Sequence, residues 1–232
     1  MRLQSADHHR RRGSITVLTT NDKHQNDLVT AVRAFLQKRP EPIAISNQGA
    51  IYRMEFKDQA LALKTLPPGS RLNLIHRLTL EREYRAYQRL QSVQCFVCCH
   101  GLIDRSCLVL DWVDGQPIEK LPMPVDHPAF DALLDSIEAM HRQGVVHCDL
   151  KRKSNILIDR DEQPVILDLG ACFLHKPGLH PLNHRLFKLM KQIDLNSWVK
   201  LKYGGYTGLS QHDQAYLRRT WIERILSHIR SR

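Results

Sequence analysis

Apolar positions along this chain follow two rhythms. Over Asn26–Arg39, Leu28, Val32, Phe35 and Leu36 recur at helical spacing, and Pro40 ends the run. Ile43–Met54 breaks into short apolar stretches around Asn47-Gln48-Gly49, which predicts strand, turn, strand. Ala60–Leu66 is an apolar strand closed by Pro67-Pro68-Gly69. The helical rhythm returns over Leu78–Leu90, where Glu83, Tyr87 and Leu90 share the inward stripe at i, i+4 and i+7. Cys95–His100 predicts a strand that ends at Gly101, and Ser106–Gly115 a strand running into a turn. Pro122, Pro124 and Pro128 make a rigid linker before an amphipathic helix over Phe130–Arg142, with Leu133, Leu134, Ile137 and Met140 on one face and Gly144 as its cap.

Between His147 and Gly170 the apolar runs are short and their ends are polar. The runs read as strands and the polar pieces as loops. Leu186–Leu201 then predicts a helix containing Asp194, Tyr203–Gly208 a Gly-rich turn, and Gln214–Ile229 a closing amphipathic helix carrying Tyr216, Trp221, Ile222 and Ile225.

Composition narrows this picture only a little. The 232 residues suffice for one domain or one domain of two lobes, and 42% hydrophobic content supports a core. Thirty-four Lys and Arg against 24 Asp and Glu give a net charge of +10, which favours acidic partners without choosing among them. Six cysteines, at 95, 98, 99, 107, 148 and 172, are not framed like a small secreted scaffold. No apolar run is long enough to cross a membrane, and Ile15–Thr20 is too short and polar for a secretion signal. The expectation is a reducing, cytoplasmic compartment. Arg10-Arg11-Arg12 lies in a segment that reads as a solvated tail, with peripheral contact to an acidic surface as the alternative.

The chemistry concentrates in the His147–Gly170 stretch. Asp149, Asn155 and Asp168 sit at the ends of apolar runs, so a hairpin would gather three oxygen-bearing side chains. Such oxygens suit Mg²⁺, which fills its octahedron with phosphate and water. Lys64 lies inside an apolar strand and needs a counter-ion or a ligand phosphate there, unless it snorkels from the strand edge. Glu81 and Glu83 are its candidate partners, and the inward stripe favours Glu83. Cys95-x-x-Cys98 has the spacing of half a zinc site, but no second pair of ligands follows in sequence, so a structural strand is the preferred reading.

At these residues the chain resembles the protein-kinase superfamily. The family's catalytic loop H-R-D-x-x-x-x-N is matched by His147-Cys148-Asp149 and Asn155, and its D-F-G by Asp168-Leu169-Gly170. Asp149 to Asn155 spans six positions, one more than the motif, which places a one-residue bulge within Lys151–Ser154. Cys148 replaces the Arg that in the family commonly pairs with a phosphorylated activation loop, and no A-P-E follows. Ala62-Leu63-Lys64 stands near the V-A-I-K pattern.

The resemblance implies an α+β, two-lobed kinase-like fold. Residues 1–24 would be a basic tail, 25–114 an N-lobe with a small antiparallel sheet, and 115–232 a reduced, mainly helical C-lobe. It implies an enzyme that uses ATP and Mg²⁺. Asp149 would act on an acceptor hydroxyl, with Lys151 neutralising the transferred group. Gly49 would cover the phosphates. Lys64, held by Glu83, would meet them. The main chain of Asp111 and Val113 would meet adenine, with Leu110 behind it, and Asn155 and Asp168 would hold the metal. Asp194 would brace the catalytic loop. The closest flavour is the compact atypical branch, RIO-like kinases and bacterial lipopolysaccharide-core kinases. A Ser/Thr-type protein kinase is the first expectation. A lipopolysaccharide-core sugar kinase and a nucleotide-binding pseudokinase scaffold are the alternatives. The acceptor would be an anionic protein or a phosphorylated glycolipid.

Overall fold

In a computed structural model of the chain, which describes residues 23–46, 49–67 and 73–218, helix α1 (Lys23–Gln37) opens the fold. It is followed by β1 (Ala44–Ser46), β2 (Gly49–Phe56), β3 (Gln59–Thr65), helix α2 (Asn73–Leu90), β4 (Cys99–Ile103) and β5 (Cys107–Asp111). These five strands form one antiparallel sheet in the order β1-β2-β3-β5-β4. The alternation of β3 decides what lies on each face. Leu61 and Leu63 point toward α1, packing with Leu28, Val32, Met54, Ile103, Cys107 and Val109. Ala62 joins the cluster on the opposite face, and Lys64 points the same way, toward α2.

The rest of the described chain is mainly helical. β6 (Gly115–Pro117) leads through a short 3₁₀ turn to α3 (Pro128–Arg142), then β7 (Val145–Val146), β8 (Ile156–Asp159), β9 (Pro164–Ile166), β10 (Phe173–Leu174), α4 (Pro181–Tyr203) and the short α5 (Gln211–Gln214). β6, β8 and β9 make one small antiparallel sheet and β7 with β10 another. Leu133, Ile137 and Met140 of α3 are fully buried, in one cluster with Tyr87 and Leu90 of α2 and Trp198 of α4. The result is the α+β, kinase-like architecture that the sequence implies.

Several boundaries differ from the sequence expectation. α2 begins at Asn73, five residues before Leu78. Its first turns carry Leu74, Ile75 and Leu78, all more than half exposed, so they lie off the buried stripe that periodicity detects. The fourth strand begins at Cys99 and runs past Gly101, where the apolar run Cys95–His100 was expected to end it. A register shift between Cys99 and Gly101 makes room for the glycine inside the strand. Pro128 is the first residue of α3, capped by the His127 ring, and so belongs to the helix rather than the linker. The closing helix over Gln214–Ile229 is not formed as far as the description reaches. α5 stops at Gln214, and residues 219–232, like the 1–22 tail, lie outside the described residues.

Two contacts tie the parts together. Arg89 of α2 donates to the carbonyls of Gly144 (2.9 Å) and His175 (3.1 Å), both beyond α3. At the other end, buried Asp213 receives Lys202 at 2.8 Å and the Tyr203 hydroxyl at 2.7 Å. Burial pushes the Asp213 carboxyl up, but the hydrogen bonds from Lys202, His212 and Tyr203 outweigh it and hold it at about 2. A carboxyl lowered on folding stabilises the fold above its ordinary value of 3.8, and that contribution fades as pH falls toward about 2. In Lys202→Met the contribution should be smaller, and its fade, which begins near the same pH, should end at a higher one. Denaturant midpoints measured across the acid range, wild type against variant, will read that displacement; superimposable acid limbs would contradict it.

Candidate active site

Lys64 is the point where three elements meet. β3 carries it on the face toward α2, and α2 turns Glu83 inward to receive it. The ammonium lies 2.8 and 3.0 Å from the two Glu83 oxygens and 2.7 Å from Asp168 Oδ1. Glu83 is 1% exposed and Lys64 8%, so little water screens these contacts. Burial by itself would lower the Lys64 pKa, but Glu83 and Asp168 outweigh it and hold the ammonium above its ordinary value. Burial raises Glu83 despite the pull of Lys64. Burial would raise Asp168 too, but the Lys64 charge and hydrogen bond and the Gly170 N–H overcome it and leave that carboxyl low.

Glu81 has a different task. It receives Arg105 at 2.5 Å, while Arg85 stands at 4.0 Å. Arg82, between the two glutamates, donates to the Gly170 carbonyl at 2.6 Å and so fastens α2 to the turn after Asp168. Sequence reasoning did not single out Arg82 or Arg105. Both are surface-type residues whose targets are distant in sequence, and one target is a backbone oxygen. Lys64, Arg82, Glu83 and Gly170 line a cavity of about 230 Å³ beneath α2.

The residues of the His147–Asn155 loop are placed by hydrogen bonds. His147 is buried, bonds the Leu167 carbonyl through Nε2 at 2.9 Å, and accepts the Asp149 N–H at Nδ1 at 3.2 Å. Asp194 of α4 is fully buried. Its two oxygens accept the N–H groups of His147 (2.8 Å) and Cys148 (2.9 Å), and one also meets His141 at 3.1 Å. That grip holds Cys148 at φ 68°, a left-handed conformation that a non-glycine residue adopts only under constraint. Asp168, at φ 59°, is left-handed too.

Asn155 ends a 3₁₀ turn and is 5% exposed. Its Nδ2 donates to the Asp149 carbonyl at 3.2 Å, and its own carbonyl accepts the Leu167 N–H at 2.8 Å. Two consecutive turns, Arg152 N–H to Asp149 carbonyl and Asn155 N–H to Arg152 carbonyl, absorb the extra residue. Pairing of Ile156 with Ile166 puts Asn155 and Asp168 at the same end of the β8–β9 hairpin.

Other candidates stand elsewhere. Lys151 is exposed and lines a separate cavity of about 160 Å³ with Lys153 and Lys200. Gly49 opens β2 at φ 151°, where a Cβ would overlap the Thr65 carbonyl oxygen, so the close approach of β3 already requires glycine. Asn47 and Gln48 before it lie outside the described residues. Asp111 ends β5 and its N–H is donated to the Cys98 carbonyl at 3.0 Å. Val113 is partly exposed two residues on.

The RIO domain matches residues 52–188, more than half of the chain. The chain belongs to the RIO-domain family. The matched span runs from β2 into α4 and contains Lys64, Glu83, Asp149, Asn155 and Asp168. Shorter similarities link this RIO-domain chain to proteins named as serine/threonine-protein kinases. It is 34% identical over 83 residues to serine/threonine-protein kinase pkn2 of Myxococcus xanthus, covering 32% of this chain and 10% of that protein. It is 33% identical over 75 residues to serine/threonine-protein kinase STK11 of Homo sapiens, covering 32% of this chain and 16% of that one. Over 47 residues it is 43% identical to serine/threonine-protein kinase PKH3 of Saccharomyces cerevisiae, 20% of this chain and 5% of the relative. The chain thus spans a sixth or less of the length of these relatives. No helix among the described residues is long and apolar enough to cross a membrane.

Asp194 provides the stability test of this site. Asp194→Ala leaves two buried N–H groups without an acceptor, which should cost about 2–5 kcal/mol. Chemical denaturation gives the magnitude, and amide exchange at His147 and Cys148 should accelerate; unchanged exchange there would deny the brace.

Proposed function

We propose that this RIO-domain protein is an ATP- and Mg²⁺-dependent phosphotransferase acting on a hydroxyl, most simply a Ser/Thr-type protein kinase. The observation that carries the reading is the buried Lys64 ammonium held between Glu83 and Asp168. One positive charge faces two negative ones there, and Asp149 adds a third on the neighbouring loop. A polyphosphate could approach such a site only with a divalent cation to balance it.

The donor set fits Mg²⁺. Asn155 commits Nδ2 to the Asp149 carbonyl, which leaves its amide oxygen for a cation. Asp168 commits Oδ1 to Lys64 and the Gly170 N–H, which leaves Oδ2. Both are hard oxygens, as Mg²⁺ prefers. When bound, the metal supplies charge neutralisation at the phosphates.

In this reading the chain's own residues mainly position and polarise. Lys64 neutralises the phosphates, and Glu83 keeps it from collapsing fully onto Asp168. At the hinge, Asp111 would offer its carbonyl rather than its N–H to adenine, with Val113 as the second main-chain contact. Asp149, whose N–H and carbonyl are both fixed, would orient the acceptor hydroxyl and take its proton. The relatives named as serine/threonine-protein kinases support this choice of acceptor. A phosphorylated core sugar is the second reading, favoured by the cavity that Lys151, Lys153 and Lys200 line beside the same loop. The pseudokinase reading rests on the longer loop and on the sparse Gly loop; the bond from Asn155 to the Asp149 carbonyl weighs against the first of these and leaves the second.

Transfer of labelled γ-phosphate from ATP into cell extract, separated into protein and glycolipid fractions, decides between acceptors. Asp149→Asn should lower transfer roughly 10²–10⁴-fold while nucleotide binding persists. Asp168→Ala should lose Mg²⁺-dependent nucleotide binding. Full transfer by either variant would refute the assignment. Lys64→Ala should lower kcat, and a variant that instead fails to fold would give Lys64 a structural part.

A further inference from the structure

Of the Cys95-x-x-Cys98 spacing, it is Cys98 that meets further donors, and they come from the sheet. Cys98 lies immediately before β4, and His100 is the second residue of that strand, at its register shift; both reach the same donor cluster. Asp111, at the end of β5, is the cross-strand neighbour of Cys98. Its N–H bonds the Cys98 carbonyl at 3.0 Å, and its Oδ2 accepts the Cys98 N–H at 3.3 Å. Asp111 Oδ1 lies 2.6 Å from His100 Nε2. A sulfur, an imidazole nitrogen and a carboxylate oxygen thus stand within 4.8 Å of one another.

We propose that Cys98, His100 and Asp111 bind a borderline divalent cation of the Zn²⁺ type. A tetrahedral ion with bonds of about 2.0–2.3 Å needs its ligand atoms roughly 3.3–3.8 Å apart. The two-strand frame can supply that by closing the sulfur inward and parting His100 from Asp111. The mixed donor set selects against Mg²⁺ and Ca²⁺, which take oxygen, and favours Zn²⁺, which accepts thiolate, imidazole and carboxylate together. Three protein ligands leave a fourth position for water or a ligand from outside, and Cys98 is exposed, so the ion would exchange readily. β4 is the sheet's edge strand, and the ion would staple it to β5 where the chain leaves for β6. This site shares no side-chain ligand with Asn155 and Asp168 and does not depend on the nucleotide reading.

The test uses the full chain and Co²⁺ as a spectroscopic stand-in for Zn²⁺. The expected result is one equivalent of Co²⁺ giving a thiolate-to-cobalt absorption band that Zn²⁺ abolishes. Cys98→Ala, an exposed position, should lose the band. His100→Ala should weaken binding by at least about tenfold, and Cys95→Ala should retain the band. Zn²⁺ should raise the thermal midpoint of the wild type but not of Cys98→Ala. The thiolate band excludes imidazole-only binding at His8-His9. Asp168→Ala should keep the band whatever it does to nucleotide binding, so the two assignments fail separately. Absence of the band, or its survival in Cys98→Ala, overturns the proposal.

Discussion

A single ammonium group, that of Lys64, governs how the parts of this protein are arranged. It is buried, so it requires opposite charge, and it takes that charge from two directions. Glu83 fixes the rotation of α2 against the sheet. Asp168 fixes the end of the β8–β9 hairpin beneath it. Removing either carboxylate would leave the other to compensate one buried cation alone. Removing Lys64 would leave two carboxylates facing each other in a poorly hydrated space. The three groups are stable only as a set, and so the sheet, α2 and the hairpin are oriented together.

A second buried charge does for the His147–Asn155 loop what Lys64 does for the cleft. Asp194 comes from α4, 46 residues beyond Cys148. It takes two consecutive backbone N–H groups and holds the loop in a conformation that the sequence His-Cys-Asp would not choose by itself. Local strain at Cys148 is thereby opposed by a tertiary contact, the arrangement expected where geometry serves chemistry. The extra residue after Asp149 is tolerated for a related reason. Asn155 is anchored at its side chain and at its carbonyl, so slack in the exposed Lys151–Ser154 stretch does not reach it.

Much of this was legible in the sequence because it is written in periodicity. The stripe through Glu83, Tyr87 and Leu90 selected the right glutamate, since a helix presents such residues on one face. The apolar strand around Lys64 gave its burial. What was not legible depends on pairing between distant strands or on exposed positions. The first turns of α2 carry apolar residues that face outward, so no buried rhythm announces them. The start of β4 was displaced because the run Cys95–Cys98 is apolar without being in the strand. Gly49 was a candidate for phosphate contact, but its backbone has a nearer reason in the Thr65 carbonyl. Asp111 was considered for its main chain, while its carboxylate turns to Cys98 and His100 through a register that no linear spacing reveals.

Arg89 carries a mechanical consequence. Through its bonds to Gly144 and His175, α2 is attached to the helical half even though it lies between the strands in sequence. α2 also packs on the sheet, where Leu80 and Tyr87 share a cluster with Leu102 and Leu108 and where Glu83 and Glu81 receive Lys64 and Arg105. Any gaping of α2 from the sheet must strain both ion pairs together, which makes them a paired latch as well as a charge balance.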